Sequence, residues 1–124
     1  MQSEIYLSCA AIEMAGTRSI VESYFSCVKA GDKNVAELFH DDAQLIGLGT
    51  VVVGRPAIDQ FYAASIETGR PQPSLVGGLF VEGDRVIAEL LIELAGQATM
   101  HVVDLFEISG EKIKSLTYFV ADHS

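Results

Sequence analysis

Ala98-Thr99-Met100-His101-Val102-Val103-Asp104-Leu105-Phe106-Glu107-Ile108-Ser109, residues 98–109, is the stretch whose reading decides the fold. Side chains along a strand alternate between two faces. Met100, Val102, Asp104, Phe106 and Ile108 therefore share one face, and Thr99, His101, Val103, Leu105 and Glu107 share the other. The first face is apolar except for one carboxyl group, and the second is mixed. Glycine turns frame the stretch, Gly96-Gln97 before it and Gly110-Glu111 after it, with Gly83-Asp84 further upstream. These turns divide the second half of the chain into strands at about 75–82, 85–95, 98–109 and 112–121, a meander.

Working outward, the first half changes to a helical period. Ile20, Val21, Tyr24, Phe25 and Val28 form one face of a helix that Thr17 can cap and Gly31-Asp32 stops. A second short helix is expected from Asn34 to Phe39, ending at His40-Asp41-Asp42, before a strand-like run from Ala43 to Leu48. Gly54-Arg55-Pro56 opens a third helix, since proline fits a first turn where its missing N–H has no partner. Ile58, Phe61, Tyr62 and Ile66 give that helix its apolar face, and Gly69 to Pro73 breaks it. Residues 1–16 fit a short leading helix or a loose arm. Helices followed by antiparallel strands predict one α+β domain over residues 1–124, about three helices packed on one face of a curved, mostly antiparallel sheet.

The 124 residues suffice for a core without staples. Seventeen acidic residues against eight basic ones give a formal charge of −9. That balance opposes phosphate backbones and anionic lipid, so neither nucleic acid nor membrane is an expected partner. Apolar runs such as Val51–Val53 are too short to span a bilayer. Met1-Gln2-Ser3-Glu4 lacks the basic opening of a secretory signal, which makes a cytoplasmic location the expectation. Cys9 and Cys27 form no CxxC motif and read as reduced, half-buried core residues. No phosphate-binding loop, dinucleotide fingerprint or GxSxG motif is present, and no cofactor is expected. His40 beside Asp41 and Asp42 does not make a metal site, because adjacent ligands in a turn rarely converge.

Asp104 is the position with most to say about chemistry. A carboxyl in an apolar stripe holds its proton more tightly, finds a partner or faces a cavity. Leu116, Tyr118, Val120 and Asp122 repeat the pattern on the last strand, which would put Asp122 near a pocket rim or leave it a solvated terminal charge. Tyr24 and Tyr62 lie on apolar helical faces, where a buried hydroxyl is either anchored or aimed into a cavity.

Collinear fragments then carry a resemblance: Val21-Glu22-Ser23-Tyr24, Lys29-Ala30-Gly31-Asp32, Leu38-Phe39-His40-Asp41-Asp42-Ala43, Gly54-Arg55-Pro56-Ala57-Ile58-Asp59-Gln60-Phe61-Tyr62, Val102-Val103-Asp104-Leu105-Phe106 and Lys112-Ile113-Lys114-Ser115-Leu116. Together they resemble bacterial ketosteroid isomerases and the wider nuclear transport factor 2-like superfamily, with its SnoaL-type polyketide cyclases. The resemblance implies a cone-shaped, cystatin-like fold and a homodimer formed through the sheet. It implies that Tyr24 and a protonated Asp104 donate hydrogen bonds to a developing oxyanion, with Tyr62 supporting Tyr24. Phe39, Gly47, Leu48, Met100, Val102, Phe106, Tyr118 and Val120 would line the pocket, with Asp122 at its rim. The family's carboxylate base falls at Gly47, and no acid occurs from Ala43 to Ile58. An isomerase or cyclase acting on a small apolar carbonyl, phenol or epoxide compound is one implication. The missing base leaves open a non-catalytic binder of a small hydrophobic ligand, or an interaction module that pairs through the sheet.

Overall fold

A computed structural model describes residues 16–122, Asp122 in its backbone only. The leading helix or arm expected over residues 1–16 lies outside the described residues apart from Gly16. No helix among the described residues is long and apolar enough to cross a membrane.

Helix α1, Thr17–Ala30, buries Ile20, Val21, Tyr24, Cys27 and Val28, a single stripe at helical spacing. Gly16 rather than Thr17 is its N-cap, and no side chain caps it. Gly31 ends it at φ 71°, where the N–H groups of Gly31 and Asp32 return to the carbonyls of Val28 and Cys27. Such a reversal satisfies carbonyls that the last turn would otherwise orphan. Cys27 is fully buried and disulfide-bonded, not the reduced, half-buried residue the sequence suggested. Cys9 lies outside the described residues.

A 3₁₀ helix, Lys33–Leu38, follows, its start fixed by the Asp32 carboxylate accepting from the Asn34 N–H. Strand β1, Phe39–Gly47, begins earlier than the sequence suggested. His40 is held by the Ser109 carbonyl and Asp41 by Arg55, so both side chains have structural partners. Strand β2, Thr50–Val53, was not expected. Leu48 and Gly49 have φ of 50° and 77° between paired Gly47 and Thr50, a two-residue hairpin that needs positive φ at both positions. Helix α2, Arg55–Gly69, buries Ile58, Tyr62 and Ile66 and leaves Phe61 at the edge.

The strand expected at 75–82 is two, β3 (Gln72–Leu75) and β4 (Phe80–Glu82), which pair with opposite ends of β5 (Arg85–Glu93). Strands β6 (Met100–Ser109) and β7 (Lys112–Asp122) complete a seven-stranded sheet of order β2-β1-β7-β6-β5-β3, with β4 beside β5. Only the β1–β7 pair is parallel. The fold is thus α+β with a mixed, mostly antiparallel sheet.

The helices cover one face of the sheet. Phe39, Phe106, Ile20, Leu45, Ile58 and Leu116 are all but excluded from solvent there. Each such side chain contributes roughly 1.5–3 kcal/mol of burial, which fixes α1 and α2 against the strands and so fixes what they carry inward.

Candidate functional site

The strand registers place the polar groups. Asp104 stands opposite Ala88 of β5 on one side and Tyr118 of β7 on the other. Directly opposed residues share a face, so this row runs across the inner surface of the sheet. Along β6 the buried positions are Val102, Asp104, Phe106 and Ile108, the face inferred from the sequence. Asp104 is 5% exposed and is the buried charged residue among those described.

Burial alone drives its chemistry. Removal from water penalises the carboxylate and pushes the Asp104 pKa up from 3.8 to about 7. Its carboxyl makes no hydrogen bond to any described residue. A buried polar group without a partner is uncommon, and here it borders a cavity of about 30 Å³, room for about one water molecule. Tyr24, Phe25 and Val28 of α1, Pro71 and Pro73, and Leu90 and Ile92 of β5 form the other walls.

Tyr24 and Tyr62 project from α1 and α2 into the same region, and their hydroxyls share a hydrogen bond of 2.6 Å. Burial raises both phenol pKa values, and Asp104 adds to the rise, so both stay protonated donors. Each hydroxyl has one proton. When Tyr62 donates to Tyr24, the Tyr24 proton is free for another acceptor. The rings are fixed by edge-on contacts: Tyr24 packs against Phe106 with centroids 5.2 Å apart and against Phe39 at 6.2 Å.

The remaining expected site residues divide. Phe39, Val102 and Phe106 are buried beneath the site. Met100 and Val120 are half-buried toward one end of the same face. Leu48 is 72% exposed at the β1–β2 hairpin tip, since positive φ turns it out of the strand alternation; it does not line the pocket. Asp122 is described in its backbone only. A bulge lets β7 advance from Val120 to Asp122 while β6 steps from Val102 to His101. Asp122 is therefore paired with His101 in the strand register. Its side chain lies outside the described part of the structure.

Gly47 is where the sequence put it, at the end of β1 and fully enclosed. A β-carbon built there would overlap the ring of Tyr118. The place of a missing carboxylate is filled by a phenol ring. Tyr118 is half-buried, and burial together with Asp104 raises its pKa.

Sequence reasoning missed Pro71, Pro73, Leu90 and Ile92 as walls. Leu90 and Ile92 alternate with Ala88 on β5, a period that pointed inward; the two prolines were legible only as breakers.

The sequence from residue 21 to 116 matches the SnoaL-like domain family. Among curated proteins none matches significantly. Solved structures match in fold. A candidate ketosteroid isomerase from Kribbella flavida is 18% identical, with a TM-score of 0.77 over 87% of this chain and 79% of that one. A candidate polyketide cyclase from Sinorhizobium meliloti is 20% identical, with a TM-score of 0.74 over 81% and 93%. A protein of ketosteroid isomerase-like fold from Catenulispora acidiphila, solved with trimethylamine, is 20% identical, with a TM-score of 0.72 over 83% and 85%. At such identities the likeness is one of fold.

Proposed function

This chain belongs to the SnoaL-like family, and on that footing we propose that it holds a small apolar carbonyl, phenol or epoxide compound by its oxygen, with Asp104 and Tyr24 as hydrogen-bond donors. The observation that carries the reading is the Asp104 carboxyl, enclosed, without a hydrogen-bond partner among the described residues, and bordering the same cavity as Tyr24. That cavity holds about one water as it stands, so the ligand's body enters only where the half-buried Phe25 and Ile92 on its walls turn aside. A neutral acid and a phenol aimed at one oxygen stabilise negative charge that develops on it, each donor typically being worth about 10²–10³ in rate. On a substrate that carries its own acidic C–H and its own acceptor, this is isomerase- or cyclase-type catalysis. Tyr62 is a positioning residue that orients the Tyr24 hydroxyl.

Among the described residues no proton-abstracting base stands where the family resemblance places one. Gly47 offers none, and the ring of Tyr118 covers it. That favours, as the second reading, a non-catalytic binder using the same donors. The test is a panel of phenols, enones and epoxides assayed for binding and turnover with the native protein and Asp104→Leu. Turnover lost in the variant supports the enzyme. Binding of a phenol without turnover, weakened in the variant, supports the carrier. Binding unchanged by Asp104→Leu sinks both.

A second copy of the chain is proposed as partner through the outer sheet face. Ile87, Leu91 and Phe119 are exposed there, on adjacent or next-adjacent strands around Val103 and Leu105.

A further inference from the structure

We propose that Pro71, Gln72 and Pro73 form a strap over the cavity beside Asp104, and that the Gln72 side chain is the latch that holds the strap against helix α1. The inference rests on the proposed function and adds the way into its site and the residue that controls entry.

The walls of the cavity come from three places, and they are not held alike. Leu90 and Ile92 lie on β5 and Asp104 on β6, strands with a neighbour on either side. Tyr24, Phe25 and Val28 lie on α1, whose buried stripe anchors it in the core. Pro71 and Pro73 belong to the stretch that enters β3, a strand at the end of the sheet that among the described residues pairs with β5 alone. Edge elements of this kind open at lower cost than central ones. Proline has no N–H, so neither Pro71 nor Pro73 offers a backbone donor to what lies beside it.

The donor comes from between them. Gln72 donates through Nε2 to the Lys29 carbonyl at 3.0 Å and to the Pro71 carbonyl at 3.0 Å. The Lys29 carbonyl is one that the end of α1 leaves over, since the N–H groups of Gly31 and Asp32 return to Val28 and Cys27. One side-chain amide thus joins the strap to the helix. Its surroundings are cavity walls: Lys29 follows Val28, Gln72 stands between the two prolines, and Pro73 is paired with Ile92. The prolines are buried and Gln72 is exposed, so the latch lies in water while the walls it positions do not. Such a hydrogen bond contributes about 2- to 10-fold to the ratio of closed to open. A latch of that strength favours the closed strap and still yields to a ligand. Gln72 is a positioning residue, acting through Pro71, Pro73 and Ile92.

Phenol is the probe, with the native protein and Gln72→Met, which keeps the length of the side chain and removes its N–H donors. The cavity takes about one water while the strap is closed, so phenol binds the open form and its affinity is reduced by the fraction that is open. Gln72→Met should therefore bind phenol about 2- to 10-fold more tightly, with the gain in the association rate. Loss of a residue that merely supports the fold would loosen binding, so unchanged or weaker affinity overturns the latch. Hydrogen exchange without ligand is the independent arm. The Ser74 amide, opposite Leu91 in the β3–β5 register, should exchange faster by a similar factor in Gln72→Met while the amides of β6 keep their rates. Equal acceleration in β6, or none at Ser74, also overturns the proposal. If phenol binds neither protein, the function proposed above fails, and exchange at Ser74 by itself decides whether Gln72 holds the strap.

Discussion

Asp104 and Tyr118 stand directly opposite each other on adjacent strands, on the face of the sheet that the helices cover. Burial raises the pKa of both, and the charge of Asp104 adds to the rise at Tyr118. Below about pH 7 both groups therefore keep their protons, and the centre of the inner face presents donors. Any chemistry or binding there begins from that condition.

The first consequence is a pH-dependent stability. The unfolded chain releases the Asp104 proton near 3.8 and the folded chain near 7. Between those values the folded state binds more protons, so stability falls as pH rises. The contribution is complete below the unfolded pKa and lost once pH passes the folded one. Each pH unit that separates the two values is worth about 1.4 kcal/mol, so the whole effect is on the order of a few kcal/mol. Asp104→Asn removes the titration. Its stability relative to the native protein should climb from pH 4 to 7 and level off above, in urea titrations across that range. A constant difference would mean that Asp104 titrates normally.

The Tyr24–Tyr62 hydrogen bond gives a second expectation. Each hydroxyl is the other's partner in an enclosed site. Removing one orphans the other, at a cost of about 1–3 kcal/mol. Tyr24→Phe and Tyr62→Phe should each destabilise the fold, and the double variant by clearly less than the sum, because it leaves nothing unpaired. Strict additivity in chemical denaturation would place the hydroxyls apart in solution.

Much of this arrangement was legible in the sequence. The alternation around Asp104 and the helical spacing around Tyr24 and Tyr62 report burial directly, since period and core face are the same fact. The parts that were not legible depend on register. A bulge interrupts the alternation of β7 after Val120, and pairing, not local pattern, sets where it falls. Leu48 continues an apolar run yet turns outward, because hairpin geometry overrides hydrophobicity at that tip. The empty position at Gly47 was visible; its occupation by Tyr118 was not, for the two are 71 residues apart and meet only through the parallel β1–β7 pair.

That contact bears on restoring a base. Gly47→Asp by itself should destabilise the protein and yield no isomerisation of a β,γ-unsaturated ketone, since Tyr118 holds the space the carboxylate needs. Gly47→Asp combined with Tyr118→Val provides room, and proton transfer, followed by absorbance of the conjugated enone, should appear there first. A catalytic rise of about 10²–10⁴ is typical of a positioned general base. Activity in the single variant that equals the double would contradict the steric account.

On the outer face, Phe119 is 53% exposed, with Ile87 and Leu91 each at 43%. Phe119→Lys places a charge amid that apolar surface. Sedimentation should show a dimer for the native chain and a monomer for the variant, with little change in the unfolding midpoint. A native monomer at high concentration would remove the second copy as partner.

If a neutral Asp104 donates to the ligand oxygen, the affinity for phenol between pH 5 and 9 follows the ionisation of that carboxyl. Phenol itself stays protonated over that range. For the native protein, affinity should hold up to about pH 7 and then fall by up to tenfold per pH unit as the donor is lost. Asp104→Asn, which keeps an N–H donor but cannot ionise, should bind at a level independent of pH. A flat profile in the native protein, or the same fall in the variant, would contradict the account.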